Sequence, residues 1–339
     1  MQFPYKIHYS KGFVPVTDPC EIEILRKQGN DVLVSSGIAR QHRVSNVAEF
    51  QLLATRYQQL ARDINMECVF RGQTRDYFVD GKLTVLPTAF RQKGTPFSES
   101  TTREVVEMQL RPWLTFLDET LQLDIGYSLT YCGITEDGCG IVRFQQPQQL
   151  SKEFSSELLL GILQHYGFPT YCLDVTQDPL IAAWFALHVS MRSPEGRISY
   201  SRIPSADIEV TSSVARAQEL AHLPSVHVYL RSIYDSIWVV IDLRENPKLQ
   251  QVAIRASHQL AKVLPFKKTS IVPSSYGWQI YERNCYWCPS AIIKLHFGAD
   301  LLEAARPDLT SPFLLPKDDW LYQALVAAKV PHLALYTAD

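Results

Sequence analysis

Apolar positions along this chain follow two periods, one near that of a helix and one near that of a strand. Phe50, Leu53, Tyr57 and Leu60 form a single stripe at helical spacing. Asn46 and Glu49 precede it with the spacing of a capping box, which predicts an amphipathic helix over 46–63. That helix runs into Glu67-Cys-Val-Phe70, a short apolar run that reads as a buried strand ended by Arg71-Gly72. Ser155 to His165 reads as a second helix with Gly167 as its C-cap. Pro179 suits the first turn of a helix over Leu180 to Met191, apolar nearly all round and therefore expected in the core. Further strands are expected at Val226 to Leu230, Ser236 to Asp242 and Ala291 to Phe297. Within the second of these, Ile237-Trp-Val-Val-Ile is apolar enough for a central strand. Asp318 to Ala328 reads as a closing helix.

Other stretches carry weaker patterns. Tyr5-Lys-Ile-His-Tyr and Glu21-Ile-Glu-Ile-Leu alternate, and Asp31-Val-Leu-Val-Ser follows a Gly29-Asn30 turn. Residues 1–44 are thus expected to form a β-rich extension, a ribbon appended to the main body. Residues 76–100 read as irregular. Thr101 and Glu104 repeat the capping-box spacing ahead of Val105, Met108, Trp113 and Phe116-Leu117, which predicts a helix broken near Pro112. Residues 125–148 read as loop-rich or hairpin-like. Helices and strands do not alternate regularly, so the class is α+β, with a mixed or antiparallel central sheet flanked by helices.

Composition narrows the setting. The chain has 339 residues, 46% of them hydrophobic and 20% charged, which suits a packed core rather than disorder. Its net charge of −2 gives no global argument for nucleic-acid binding. The first residues lack a charged segment followed by an apolar run, and the longest apolar block, Leu180 to Val189, is too short to span a bilayer. A protein that stays in the cytoplasm, without a membrane partner, is expected. Seven cysteines, an odd number at low density, fit a reduced compartment better than a disulfide scaffold. Cys285-Tyr-Trp-Cys288 has metal-ligand spacing. Its only candidate partners, Cys132 and Cys139, are separated by six residues, so buried thiols rather than a metal site are expected. Phosphate-loop, zinc-protease and nucleophile-elbow motifs are absent.

Phe70-Arg71-Gly72-Gln73, Leu86-Pro87-Thr88-Ala89-Phe90-Arg91, and the block Gln164-His165-Tyr166-Gly167, Pro169-Thr170, Leu173-Asp174-Val175-Thr176, Pro179-Leu180 and Phe185-Ala186 stand in that order. In these motifs the chain resembles the FRG-domain family over roughly 45–325, so residues 45–339 are expected to form one FRG-like domain. Arg255, Gln259, Ala261 and Val263, and Phe313-Leu-Leu-Pro316, fit two later family elements. Val175 stands where the family has Trp, Ala261 where it has Gly, and Val263 where it has Phe.

An Arg just beyond a buried strand can grip a phosphate with a planar fork, and a following Gly lets backbone approach a ligand. The resemblance extends, more remotely, to ADP-ribosyltransferases, whose strand-Arg-Gly element holds NAD. It implies an ADP-ribosyltransferase-like fold and an NAD-using toxin or phage-defence effector, of ADP-ribosyltransferase or NAD glycohydrolase type. A macromolecular target or an antitoxin would be its partner. In that reading Arg71, Gly72, Gln73, Tyr166 and Asp174 bind the dinucleotide, and Gln259, Thr176 and His165 carry the catalysis. Gln259 stands where a catalytic Glu is usual in ADP-ribosyltransferases and cannot act as an anion; Glu282 is a candidate replacement.

The alternative is a non-catalytic module that binds a nucleotide or another phosphate ligand. Each residue also has a structural reading. Arg71 would pair with a buried carboxylate such as Asp174, and His165-Tyr166 would close a helix. Asp174 and Thr176 would be turn and N-cap residues, and Gln259 would lie on a helix surface.

Overall fold

The computed structural model describes residues 30–34, 37–79, 82–85, 110–117, 130–134, 141–145, 152–168, 170, 172–192, 197–208, 220–232, 241–242, 251, 253–255, 259–264, 289–310, 319–328 and 335–336. The expectations for 5–9, 21–25, 86–91, 236–240, Glu282, 285–288 and 313–316 lie outside the described residues, as do Cys139 and the side chain of Cys132.

The fold is α+β, with a mixed central sheet and flanking helices. In chain order the first elements are β1 (Asn30–Val34), β2 (Gly37–Val44), α1 (Val47–Asp63), β3 (Met66–Gln73), β4 (Tyr77–Val79) and β5 (Lys82–Thr84). Then come α2 (110–117), β6 (Thr130–Ile134), β7 (Ile141–Gln145), α3 (Lys152–His165), β8 (Leu173–Thr176) and α4 (Pro179–Leu187). The remainder is β9 (His188–Arg192), β10 (Arg197–Arg202), β11 (Ser225–Ser232), β12 (Ile241–Asp242), β13 (Ala261–Leu264), β14 (Ala291–Leu295), α5 (Ala299–Ala305), α6 (Trp320–Ala327) and β15 (Leu335–Tyr336). Among the described residues the main sheet has ten strands in the order β12-β13-β8-β3-β11-β14-β2-β1-β5-β4. The pairs β14–β2 and β1–β5 are parallel and the others antiparallel. Within the segment read as an N-terminal extension, β1 and β2 are strands of this same sheet, and β2 is hydrogen-bonded to β14. Smaller sheets are formed by β15-β10-β9 and by the β6-β7 hairpin.

The core lies between α1, α4 and the face of β3, β11 and β14 that carries Phe70, Val226, Val228 and Ile293. Each fully buried apolar side chain there contributes roughly 1.5–3 kcal/mol. Helix α1 starts as expected: Asn46 accepts from the Glu49 amide, and the Glu49 carboxylate reaches back to the Ser45 amide. Its stripe of Phe50, Leu53, Tyr57 and Leu60 is buried. At α3, Gly167 takes φ 91 just past the last turn, the left-handed conformation that favours glycine.

Five elements differ from the sequence reading. Strand β3 does not end at Arg71-Gly72 but runs to Gln73, because β11 continues to pair with it through Ser225. Helix α4 stops at Leu187 rather than Met191: the His188 ring bonds the Trp184 carbonyl, and His188–Arg192 pairs with β10 instead. Tyr77–Val79 and Lys82–Thr84 pair as antiparallel strands β4 and β5 rather than lying in an irregular loop. Residues 110–117 are helical through Pro112. The segment read as a central strand contributes, among the described residues, only β12 at one end of the sheet order.

Candidate functional site

Strand β3 is the spine of the site. By strand alternation Phe70 and Gly72 face one way and Arg71 and Gln73 the other. Gly72 faces α4, and a Cβ built on it would lie 1.9 Å from the Ala182 carbonyl oxygen and 2.6 Å from the Ala186 amide nitrogen. The glycine therefore admits a helix backbone against the strand, where the sequence reading had it admit a ligand. Arg71 donates from Nη1 to the Asp174 carbonyl at 2.8 Å, and the same nitrogen lies 4.0 Å from Asp174 Oδ2. The guanidinium is thus fastened to β8 through backbone, with only a long contact to the carboxylate. Its Nε is buried without a hydrogen-bond partner among the described residues.

Opposite Arg71 stands the end of α3. Gln164 donates to Asp174 Oδ2 at 3.2 Å and accepts from the Thr170 amide and hydroxyl, which leaves Asp174 Oδ1 buried without a hydrogen-bond partner among the described residues. The His165 ring meets Gln259 at 3.1 Å, Nδ1 to Oε1. With a carbonyl oxygen facing it, Nδ1 carries the proton and donates. Burial pushes the His165 pKa below its ordinary value, against the opposing pull of the Asp174 charge. The ring is therefore neutral near pH 7, with a lone pair on Nε2, also buried without a hydrogen-bond partner among the described residues.

Thr176 is fully engaged in structure. Its hydroxyl donates to the Gln259 carbonyl at 2.9 Å and accepts from the Asp178 amide, and Asp178 in turn caps α4 through the Leu180 amide. Tyr166 lies elsewhere: it is wholly buried, its hydroxyl donates to Asp319 at 2.8 Å, and that carboxylate caps α6. Arg255, which the sequence reading cited only as a family element, lies behind His165. It donates to the His165 carbonyl at 3.3 Å, and its guanidinium lies 5.1 Å from the Tyr166 ring centroid and 5.3 Å from that of Tyr322. The Gln259 backbone amide donates to the Arg255 carbonyl at 3.0 Å, which ties together two residues that both contact His165.

A buried polar chain that the sequence did not reveal adjoins Gln73. Gln73 Nε2 is 3.3 Å from His227 Nδ1, and His227 Nε2 is 2.9 Å from Asp76 Oδ1. The same carboxylate accepts from Ser225 at 2.6 Å and pairs with Lys294 at 2.7 Å. Burial alone would raise the Asp76 pKa, but the Lys294 charge, with hydrogen bonds from His227 and Lys294, reverses this and holds the carboxyl well below the usual range. Strands β3, β11 and β14, with the turn after β3 that carries Asp76, supply these groups from distant parts of the chain, and no local motif marks them.

Arg71, Gly72, Gln73, His165, Asp174, Thr176 and Gln259 all line one cleft of about 860 Å³, a size suited to a small molecule or cofactor. Arg75 and His222 add nitrogen donors, and Tyr77, Phe185 and Tyr200 add aromatic surface. Arg75 lies over the Tyr77 ring, 5.2 Å from its centroid. Asp174 is the one carboxylate on the cleft among the described residues. Such a lining suits a ligand with an anionic group, hydroxyls and a flat ring. Among the described residues no group of three or more His, Cys, Asp or Glu could hold a metal ion, and no helix is long and apolar enough to cross a membrane.

Residues 141–194 match the family model of the FRG domain. That stretch runs from β7 through α4 into β9 and so supplies His165, Asp174 and Thr176, while Arg71 and Gln259 come from outside it. No curated protein and no solved structure matches the chain.

Proposed function

We propose that this cleft binds a nucleotide and that the protein acts on NAD, by ADP-ribosyl transfer or by NAD hydrolysis. One observation carries the reading. Arg71 Nε, Asp174 Oδ1 and His165 Nε2, a donor and two acceptors, are buried at a single cleft without hydrogen-bond partners among the described residues. Each such group costs about 1–3 kcal/mol while it stays unmatched, so a site that keeps three together is suited to a ligand that satisfies them. Phosphate oxygens would meet the guanidinium, and ribose hydroxyls would meet the carboxylate and the imidazole.

The chemistry follows from the same groups. Cleavage of the N-glycosidic bond sends its electron pair to departing nicotinamide and leaves positive charge on the ribose, which the Asp174 carboxylate would stabilise. Water, or a hydroxyl of a macromolecular target, adds to the anomeric carbon and gives its proton to His165 Nε2. Gln259 acts as a positioning residue that holds the tautomer. A toxin or phage-defence effector would use such an activity. Gln259 also favours a second reading, a nucleotide-sensing module without turnover, since an amide fixed to His165 supplies no second anion.

NAD binding by the purified chain and by Arg71→Lys and Arg71→Ala variants tests the proposal. Arg71→Ala should weaken binding by about 1.5–3 kcal/mol, and Lys, which keeps charge without the fork, by less. Absence of NAD binding by the wild type at millimolar concentration, with a large loss of stability in Arg71→Ala, would leave Arg71 as scaffold.

A further inference from the structure

The buried chain behind Gln73 fixes which end of that amide faces the cleft. Asp76 and Lys294 are oppositely charged and enclosed, with side chains 0% exposed. The His227 side chain, 1% exposed, is enclosed with them. A charged His227 would leave one net positive charge in an enclosed cluster, whereas a neutral ring balances it. Asp76 can only accept, so the single ring proton lies on Nε2, pointing at Oδ1. Nδ1 is then an acceptor, and the group of Gln73 that meets it must be the NH2. Gln73 itself is only 7% exposed and lines the cleft, and its Oε1 has no hydrogen bond among the described residues.

We infer that Gln73 determines specificity: its carbonyl oxygen is held in the cleft as an acceptor and selects ligands that present an NH2 group, as a ring amine or a ring carboxamide. This rests on the nucleotide reading above and refines it. In NAD two groups have that chemistry, the carboxamide of nicotinamide and the exocyclic amine of adenine. A hydroxyl or oxo group at the same place offers no NH2, and an oxo or carboxylate oxygen would oppose Oε1 directly. His227 is a positioning residue here, and Asp76 with Lys294 sets its tautomer.

The test compares equilibrium binding of three dinucleotides to the full chain: NAD, its analogue with the carboxamide replaced by carboxylate, and its analogue with adenine replaced by hypoxanthine. The wild type should bind one of the two analogues about tenfold or more weakly than NAD, and which one identifies the ring beside Gln73. Gln73→Leu should bring that ratio to within about twofold while binding persists. Nitrogen NMR of the histidine rings gives an independent readout: His227 should be neutral with its proton on Nε2. Equal binding of all three dinucleotides, unchanged discrimination in Gln73→Leu, or a proton on His227 Nδ1 would each overturn the assignment. Failure of all three dinucleotides to bind would instead overturn the nucleotide reading and the assignment with it.

Discussion

Gly72→Ala is the most revealing single change in this fold. The added methyl would begin 1.9 Å from the Ala182 carbonyl oxygen and 2.6 Å from the Ala186 nitrogen, both backbone atoms of α4. Ordinary contact needs about 3.5–4 Å, so helix and strand must separate by roughly 1.5 Å or more. That separation opens the packing of Phe70, Ala182, Ala183 and Ala186, all fully buried. Overpacking typically costs 1–3 kcal/mol, and a clash with rigid backbone belongs at the top of that range or beyond, about 3–5 kcal/mol. For a chain of this size that is a fall of roughly 4–7 °C in melting temperature, read by circular dichroism or dye binding. Ala182→Gly should not rescue the variant, because the obstacle is a carbonyl oxygen rather than a side chain. A Gly72→Ala protein that melts within about 1 °C of the wild type would refute the packing argument. Selective loss of ligand binding at unchanged stability would restore the view that this glycine admits a ligand.

Three other perturbations separate scaffold from site. Tyr166→Phe should lose about 1.5–3 kcal/mol of stability, by removing a buried hydroxyl from the Asp319 carboxylate, and leave NAD binding unchanged; weakened binding would return Tyr166 to the cleft. Lys294→Met should cost about 3–5 kcal/mol in urea unfolding, because Asp76 would keep its burial and lose its cation; a smaller effect would mean the carboxyl is not charged. His165 has a folded pKa below its ordinary 6.5, so the unfolded chain binds the proton first as pH falls. Its contribution to stability is full above about pH 6.5 and declines below it. Turnover should persist below pH 6.5 in the wild type and fall sharply in His165→Ala; an acid limb at or above pH 6.5 would contradict a buried neutral base.

Local patterns were legible where one element contains the whole argument. The Asn46–Glu49 cap, the α1 stripe, the Gly167 C-cap and Pro179 at the start of α4 each need only a few neighbouring residues, and each forms as read. Boundaries set by tertiary partners were not legible. His188-Val-Ser-Met continues the helical pattern, but β10 offers it a ladder and the His188 ring closes α4. Motif residues converged on one cleft, yet their jobs depended on neighbours invisible in the chain order. Arg71-Gly72 reads as a ligand element until the Ala182 carbonyl is found against Gly72. Tyr166 follows His165 in sequence, and the turn after α3 sends its ring to Asp319 instead. Asp76, His227 and Lys294 are unremarkable singly, and only the register of β3, β11 and β14, with the turn after β3, joins them.

The central claim is that Arg71, Asp174 and His165 act together on a dinucleotide. The most direct measurement is nicotinamide release from NAD by purified protein, with and without cell lysate to supply a target, alongside Asp174→Asn and His165→Ala. The account predicts release by the wild type, in buffer for a hydrolase or only with lysate for a transferase, and a loss of about a hundredfold or more in each variant. Intact NAD under both conditions, or variants that release nicotinamide as fast as the wild type, would contradict it.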